Sequence, residues 1–151
     1  MFFNDEIVPF EGTKSFKLYQ HIDEVKATLN GMNLPYQEEI WQSDAETIPN
    51  PWHVINVNET ISFFFASNGK LFKIVFWDNY TGKLLGKINT GLQISDAISM
   101  DSTLEYSDWN EDYESQLGYW LEDDVETGKI MSITVFIKEI MDEDTFDRCA
   151  W

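Results

Sequence analysis

The residues best suited to bind a partner lie in one interval of the chain, between Lys87 and Lys129. This interval contains eleven Asp and Glu residues and no Lys or Arg, and large aromatic residues are interspersed among the acids. Carboxylates form ion pairs with Arg and Lys of a partner, and aromatic side chains supply buried contact area in protein interfaces. We therefore predict a partner-binding surface made of Asp101, Glu105, Tyr106, Asp108, Trp109, Asp112, Tyr113, Glu114, Glu122, Asp123 and Asp124. A second interpretation stays open, in which the aromatic residues belong to the core and the acids only maintain solubility.

The charge of the whole chain indicates the kind of partner. The chain has 151 residues, with 27 Asp plus Glu against 10 Lys plus Arg, and its formal net charge is −17. Nucleic acids and anionic membranes repel such an acidic surface, so neither is expected as a partner. A strong field of one sign accelerates encounter with a basic protein. Hydrophobic residues make up 43% of the chain, which predicts a single compact domain over residues 1–151 rather than an acidic disordered chain.

Other kinds of site lack the residue patterns that they need. The two histidines and the single Cys149 show neither zinc-site nor nucleophile spacing. The segment from Asp108 begins like a calcium loop, but Tyr113 stands where glycine is needed and Tyr119 where glutamate is needed. The sequence therefore predicts no enzyme activity, no metal and no cofactor. No stretch has the length of a membrane helix and no signal peptide is recognisable, so we expect a cytoplasmic protein.

The elements that must position the acidic residues are predicted from apolar spacing and turn signals. Steps of three and four residues predict a helix over 16–29, and a shorter helix is predicted over 95–100 with Ser95 as N-cap. Two β-rich runs flank Asn68-Gly69, which predicts a hairpin with a type I′ turn. The fold class is therefore α+β, with short helices and a largely antiparallel sheet.

The remaining segments are assigned by composition. Further predicted elements are strands over 83–88, 117–121 and 129–137, an acidic-aromatic loop over 101–116, a Pro-containing loop over 43–52, and a tail from Glu139 that is either a short helix or frayed. Lysines on the hairpin and edge strand are predicted to face solvent, with a phosphate-contact patch as the alternative; these are Lys70, Lys73, Lys83 and Lys87.

Two parts of the chain, 15–78 and 87–138, carry the same order of predicted elements. Each has a short helix, a loop, and a hairpin whose second strand follows Gly-Lys, and Asp23 aligns with Asp96. This unit resembles the helix-plus-sheet repeat of the beta-lactamase inhibitory protein, although the signal peptide and paired cysteines of that secreted inhibitor are missing. Because the same order also arises by coincidence in α+β chains, duplication and coincidence both stay open.

The whole chain further resembles the small, acidic immunity proteins of bacterial polymorphic toxin and contact-dependent inhibition systems. That resemblance implies a cytoplasmic protein that binds a cognate toxin domain and neutralises it by occluding the active site. A basic nuclease is the expected toxin, because nucleases hold phosphates in positively charged clefts that carboxylates can fill. The alternatives are an acidic mimic of DNA that inhibits DNA-binding proteins, and a ligand-binding or enzymatic domain with a pocket under the sheet.

Overall fold

The computed structural model describes residues 2–41 and 51–151, so most of the Pro-containing loop predicted over 43–52 lies outside the described residues. Eight strands form one antiparallel sheet: β1 (Gln37–Trp41), β2 (Trp52–Val57), β3 (Ile61–Phe65), β4 (Leu71–Phe76), β5 (Glu105–Ser107), β6 (Asp112–Ser115), β7 (Tyr119–Asp123) and β8 (Ile130–Phe136). The helices are α1 (Ile22–Gly31), α2 (Ile94–Met100) and α3 (Glu143–Asp147), with 3-10 turns at Phe2–Asn4 and Lys138–Met141. The predicted α+β class is confirmed. No helix in the described ranges has the length and apolar character needed to cross a membrane.

β3 and β4 form the hairpin predicted at Asn68-Gly69, but the turn is not type I′. A type I′ turn needs positive φ at both central residues, whereas here only Gly69 has a positive value, +81°. The N–H of Gly69 donates to the carbonyl of Ala66 over 2.9 Å and closes a turn that ends in this left-handed glycine. A Cβ at Gly69 would lie 2.6 Å from Nε2 of His21, so the glycine also makes room for the residue before α1.

The two halves of the chain build the two halves of the sheet in the same order. A helix precedes four strands in each half, and the strand order β1-β2-β3-β4-β8-β7-β6-β5 brings the halves together at β4 and β8. The N–H groups of Ile22 and Ile94, the first residues of α1 and α2, each donate over 2.8 Å to the glycine carbonyl at the turn of their own half's last hairpin. This contact matches the two helices residue by residue and shifts the predicted alignment of Asp23 with Asp96 by one position.

Both major helices begin at different residues from those predicted. α1 starts six residues later than predicted because His21 caps it, accepting a backbone N–H of the first turn at Nδ1 over 3.2 Å. The irregular segment before it still buries Phe16 completely. α2 has Gln93 as its N-cap residue instead of Ser95, and no side chain caps it.

Two other segments also differ from their predictions. The strand predicted over 83–88 is a turn, because Leu85 and Gly86 have positive φ values of +53° and +71° that reverse the chain. The acidic-aromatic loop predicted over 101–116 contains strands β5 and β6 and extends the sheet. The eight-stranded sheet therefore ends in the segment that carries most of the predicted binding residues.

The two faces of the sheet are covered by different parts of the chain. The first face carries Phe63, and the N-terminal segment covers it with the Phe16 ring, whose centroid lies 4.7 Å from that of Phe63. The second face carries Trp52 at one end, where Phe146 of α3 packs at 6.4 Å between ring centroids. A continuous row of paired residues crosses this second face, namely Gln37, Asn56, Ser62, Val75, Thr134, Trp120, Glu114 and Glu105.

Candidate interaction surface

The segment over 101–116 ends the sheet as a short hairpin, which we call the acidic hairpin, residues 105–115. β5 pairs with β6 through a tight connecting turn. Ser107 closes this turn: its Oγ accepts the N–H of Asn110 over 3.2 Å, and its carbonyl accepts the N–H of Glu111 over 2.8 Å. The hydrogen bonds hold the tip of the hairpin in one conformation.

Trp109 occupies that tip and is 94% exposed. Asp108 and Glu111, on either side of it, are exposed as well. Burial of a large aromatic side chain is worth roughly 2–3 kcal/mol, and a solvated indole contributes none of this to the stability of the chain. An exposed Trp held by an ordered turn and surrounded by carboxylates has the properties of an interface anchor.

Tyr106 and Tyr113 continue the aromatic surface behind the tip. Their ring centroids are 5.0 Å apart in an edge-to-face arrangement. Tyr106 is 49% exposed, whereas Tyr113 is partly buried against the core. Glu105, beside Tyr106 on the edge strand, is exposed. The hairpin thus carries an aromatic pair on the first face of the sheet, and Glu105 points to the second face.

Three carboxylates lie on the second face of the sheet, opposite to the face that carries Tyr106 and Tyr113, because side chains alternate along β6. Glu114 pairs with Trp120, and the same register places Asp112 beside Glu122. Burial raises the pKa of Asp112 to about 7, and a hydrogen bond with Glu114 and the charges of Glu114 and Glu122 add to the shift. Nδ2 of Asn110 donates to Oε2 of Glu114 over 2.9 Å. The acidic surface therefore extends from the hairpin tip onto the sheet.

Asp101 is not accessible to a partner, which corrects its predicted role in the binding surface. It is 8% exposed, and its carboxylate accepts hydrogen bonds from Thr103, Ser115 and Tyr119 at 2.6, 2.5 and 2.6 Å. Burial raises the pKa of Asp101, but these hydrogen bonds outweigh the effect of burial and lower the pKa to about 2. Asp101 connects the end of α2 to the base of the acidic hairpin.

Asp123 and Asp124 lie at the end of β7 that is on the same side as the hairpin tip, because the register of β6 with β7 places Glu122 beside Asp112. The charge of Asp123 helps to raise the pKa of Tyr106. Oδ1 of Asp124 accepts the N–H of Glu126 over 2.9 Å. Asp124 and Trp77 line a pocket of about 600 Å³ whose other lining residues are mostly polar. Nε1 of Trp77 donates to Oγ of Ser62 over 3.0 Å. This pocket lacks the deep apolar character that the ligand-binding alternative requires.

Two of the four lysines predicted to face solvent are engaged within the fold. Lys73 is largely buried on the second face, with Nζ 4.2 Å from the ring centroid of Phe64 and 5.5 Å from that of Trp52. Burial lowers its pKa to about 8, and the charge of Asp112 opposes this shift. Nζ of Lys70 donates to the backbone oxygen of Trp151 over 2.9 Å. The other two, Lys83 and Lys87, are exposed as predicted.

The carboxylates of the acidic surface form no ion pair within 4 Å with a described basic side chain, although the charge of Asp112 acts on the ammonium of Lys73 and opposes the fall in its pKa that burial causes. Within residues 2–41 and 51–151 only two ion pairs form, His21 with Asp23 and Lys26 with Glu38. In the same ranges, no group of three or more His, Cys, Asp or Glu side chains is arranged to hold a metal ion. The negative charge of this surface is therefore available to a partner.

Comparisons with protein-family models, with curated proteins and with solved structures found no match. The functional conclusion therefore depends on the residues described above: the acidic hairpin with Trp109 at its tip, and the carboxylates Asp112, Glu114 and Glu122 beside it. Asp123 and Asp124 continue the acidic surface at the end of β7, at the same end of the sheet as the hairpin tip.

Proposed function

We propose that this chain is a bacterial immunity protein that binds a cognate toxin domain with a basic surface and neutralises it by occluding the active site. The observation that carries the proposal is the tip of the acidic hairpin, where Trp109 is 94% exposed among carboxylates. The contact set is that of the sequence prediction without Asp101, whose carboxylate is used within the fold.

In the proposed complex, the aromatic and the acidic residues of this surface contribute to binding in different ways. The indole of Trp109 supplies apolar contact area that the chain itself leaves in water. Glu105, Asp108 and Glu122 are exposed and supply charge that attracts Lys and Arg. Electrostatic steering accounts for fast encounter, and the aromatic anchor accounts for slow dissociation.

The expected toxin is a nuclease. A nuclease cleft carries positive charge because it must hold phosphates, and a carboxylate surface complements that charge. Occupation of the cleft excludes the nucleic acid without any chemical step by the inhibitor. The proposal therefore includes no catalytic residue, no metal and no cofactor, and it places the protein in the cytoplasm, where an incoming nuclease would act.

The test is rescue of growth by co-expression. Each polypeptide encoded by the genes adjoining this one is expressed in a bacterial host with and without the chain. We expect one of them, a basic domain, to arrest growth alone and to be neutralised by the chain through a direct complex. If none is toxic, or if rescue occurs without a complex, the proposal is wrong.

Matched charge variants then test the surface. The triple variant Glu105→Lys, Asp108→Lys, Glu122→Lys changes the charge by the same amount as Glu6→Lys, Glu11→Lys, Glu24→Lys, which lies outside the acidic interval; all six residues are exposed. Loss of local steering should slow association with the toxin by about 10-fold or more in the first variant and much less in the second. Equal effects would refute the site. Binding of many unrelated basic proteins with similar affinity would instead favour the DNA-mimic alternative.

A further inference from the structure

The acidic surface contains one carboxylate oxygen whose surroundings do not suit a negative charge. Oδ1 of Asp112 is buried and has no hydrogen-bond donor; among the described side chains it is the sole buried polar atom in this situation. A buried oxygen without a donor is costly, and the cost is greatest when the oxygen carries charge. This atom therefore favours a bound proton.

The groups that face Asp112 lead to the same expectation. On its own strand the carboxylate of Glu114 is within hydrogen-bonding reach, and Glu122 on β7 adds a second negative charge. On β5 the residue paired with Asp112 is Ser107, whose Oγ already accepts a backbone N–H at the hairpin turn. On β4 the ammonium of Lys73 acts in the opposite direction and favours an ionised Asp112, but it lies against aromatic rings and forms no ion pair with Asp112 within 4 Å.

Asn110 determines which of the two neighbouring carboxyl groups holds the proton. Its Nδ2 donates to Oε2 of Glu114 over 2.9 Å, and a hydrogen bond from an amide N–H stabilises a carboxylate more than a carboxylic acid. Glu114 is therefore the better acceptor. The protonated carboxyl of Asp112 is then the donor to Glu114, and protonation removes the charge from the carboxyl that contains the buried oxygen.

We propose that Asp112 and Glu114 share one proton in the folded chain near neutral pH, so that the acidic surface carries an exchangeable charge. The geometry of the pair supports this, and burial together with Glu114 and Glu122 raises the pKa of Asp112 to about 7. As pH rises through neutrality the surface gains one negative charge. This pH-dependent charge is a property of the free chain and does not depend on a partner.

Its consequence for binding rests on the proposed function. When an Arg or Lys side chain of a basic partner approaches Asp112, its positive charge replaces the proton. Binding then releases a proton and strengthens as pH rises from 6 to 8. A partner that binds only at the hairpin tip would release none.

The experiment follows side-chain carboxyl carbons of the free chain by NMR from pH 3 to 9. Asp112 should titrate near pH 7. In Glu114→Gln the midpoint of Asp112 should fall by at least one pH unit, because a charge and an acceptor are lost. An Asp112 midpoint below pH 5 in the unmodified chain would overturn the inference and would leave the proposed function untouched.

A calorimetric titration examines the consequence separately, with a hexa-arginine peptide as the probe. In two buffers of different ionisation enthalpy at pH 7, the unmodified chain should show proton release on binding, and Asp112→Asn should show none. If Asp112 titrates near pH 7 but binding releases no proton, the shared proton is supported and its link to binding is refuted.

Discussion

Replacement of Asp101 by Asn should destabilise the fold, since this carboxylate joins α2 to the acidic hairpin. The fall in pKa from 3.8 to about 2 corresponds to about 2 kcal/mol of stability at neutral pH. Because Asp101 is 8% exposed, solvent screens this contribution little. An amide also accepts hydrogen bonds from the surrounding hydroxyls less strongly, so we expect Asp101→Asn to lower the free energy of unfolding by about 2–4 kcal/mol.

The pH dependence of stability distinguishes loss of a charged hydrogen-bond acceptor from a simple packing defect in Asp101→Asn. The pKa of Asp101 is lower in the folded chain than in the unfolded chain. Its stabilising contribution is therefore complete above about pH 4 and is lost as pH falls through 2. The unmodified chain should lose this stability over that range, whereas Asp101→Asn should lack this component of acid sensitivity.

Urea unfolding at a series of pH values from 2 to 7 measures both effects. Asp108→Asn, at the exposed hairpin turn, is the matched control and should change stability by less than about 0.5 kcal/mol. The proposed role of this hydrogen-bond network would be refuted by either of two results. Asp101→Asn would unfold with a free energy within about 0.5 kcal/mol of the unmodified chain, or both proteins would lose stability in the same way as pH falls from 4 to 2.

Three further predictions follow from the same structure. Trp109→Ala should leave the unfolding midpoint within about 1 °C, because its side chain is 94% exposed, and should raise the dissociation constant for the proposed toxin partner by about 30-fold or more, as surface plasmon resonance would show. Gly69→Ala should cost about 2–4 kcal/mol and Gly91→Ala only about 1–2 kcal/mol by urea unfolding, because both have positive φ but only the Cβ at position 69 meets another atom; equal losses would exclude the clash with His21. Asp112→Asn should raise stability at pH 8 by about 1–2 kcal/mol after allowance for solvent screening, and should have little effect at about pH 3, because the raised pKa of Asp112 makes the folded chain lose stability as pH rises from 4 to 7; a variant that is less stable at pH 8 would contradict this.

The part of the fold that was predictable is the part where local sequence and tertiary context agree. The runs around Asn68-Gly69 are rich in β-branched and aromatic residues, and they form strands whose side chains are nearly all buried. β5 and β6 were not predictable, because their residues are mainly acidic and polar and show no apolar alternation. Their strand conformation comes from pairing, since β6 pairs with β7 and β5 pairs with β6.

The burial and the hydrogen-bond partners of individual charged residues could also not be predicted from the sequence. Asp101 and Asp108 look alike in the acidic interval, yet one is buried under hydroxyl donors and the other lies on an exposed turn. The Ser and Thr residues near Asp101 were a usable signal, since clustered hydroxyls can satisfy a buried carboxylate. The sequence around Lys73 did not predict its burial, because the aromatic rings that its ammonium contacts belong to other strands.

The symmetry of the sheet gives an independent argument that the acids serve binding. Val75 pairs with Thr134 at the centre, so residues at equal steps from this pair occupy equivalent backbone positions: Asn56 corresponds to Glu114, and the next positions on the same face match Val54 with Asp112.

At these matched positions one half of the sheet carries apolar or neutral side chains and the other half carries carboxylates. The backbone of the strands accepts either kind of residue, so the fold does not require acids in the second half. Like charges close together on a sheet reduce stability, and in Asp112 they also leave a buried oxygen without a donor. A feature that the fold does not need, and that lowers its stability, supports the proposed contact with a basic partner.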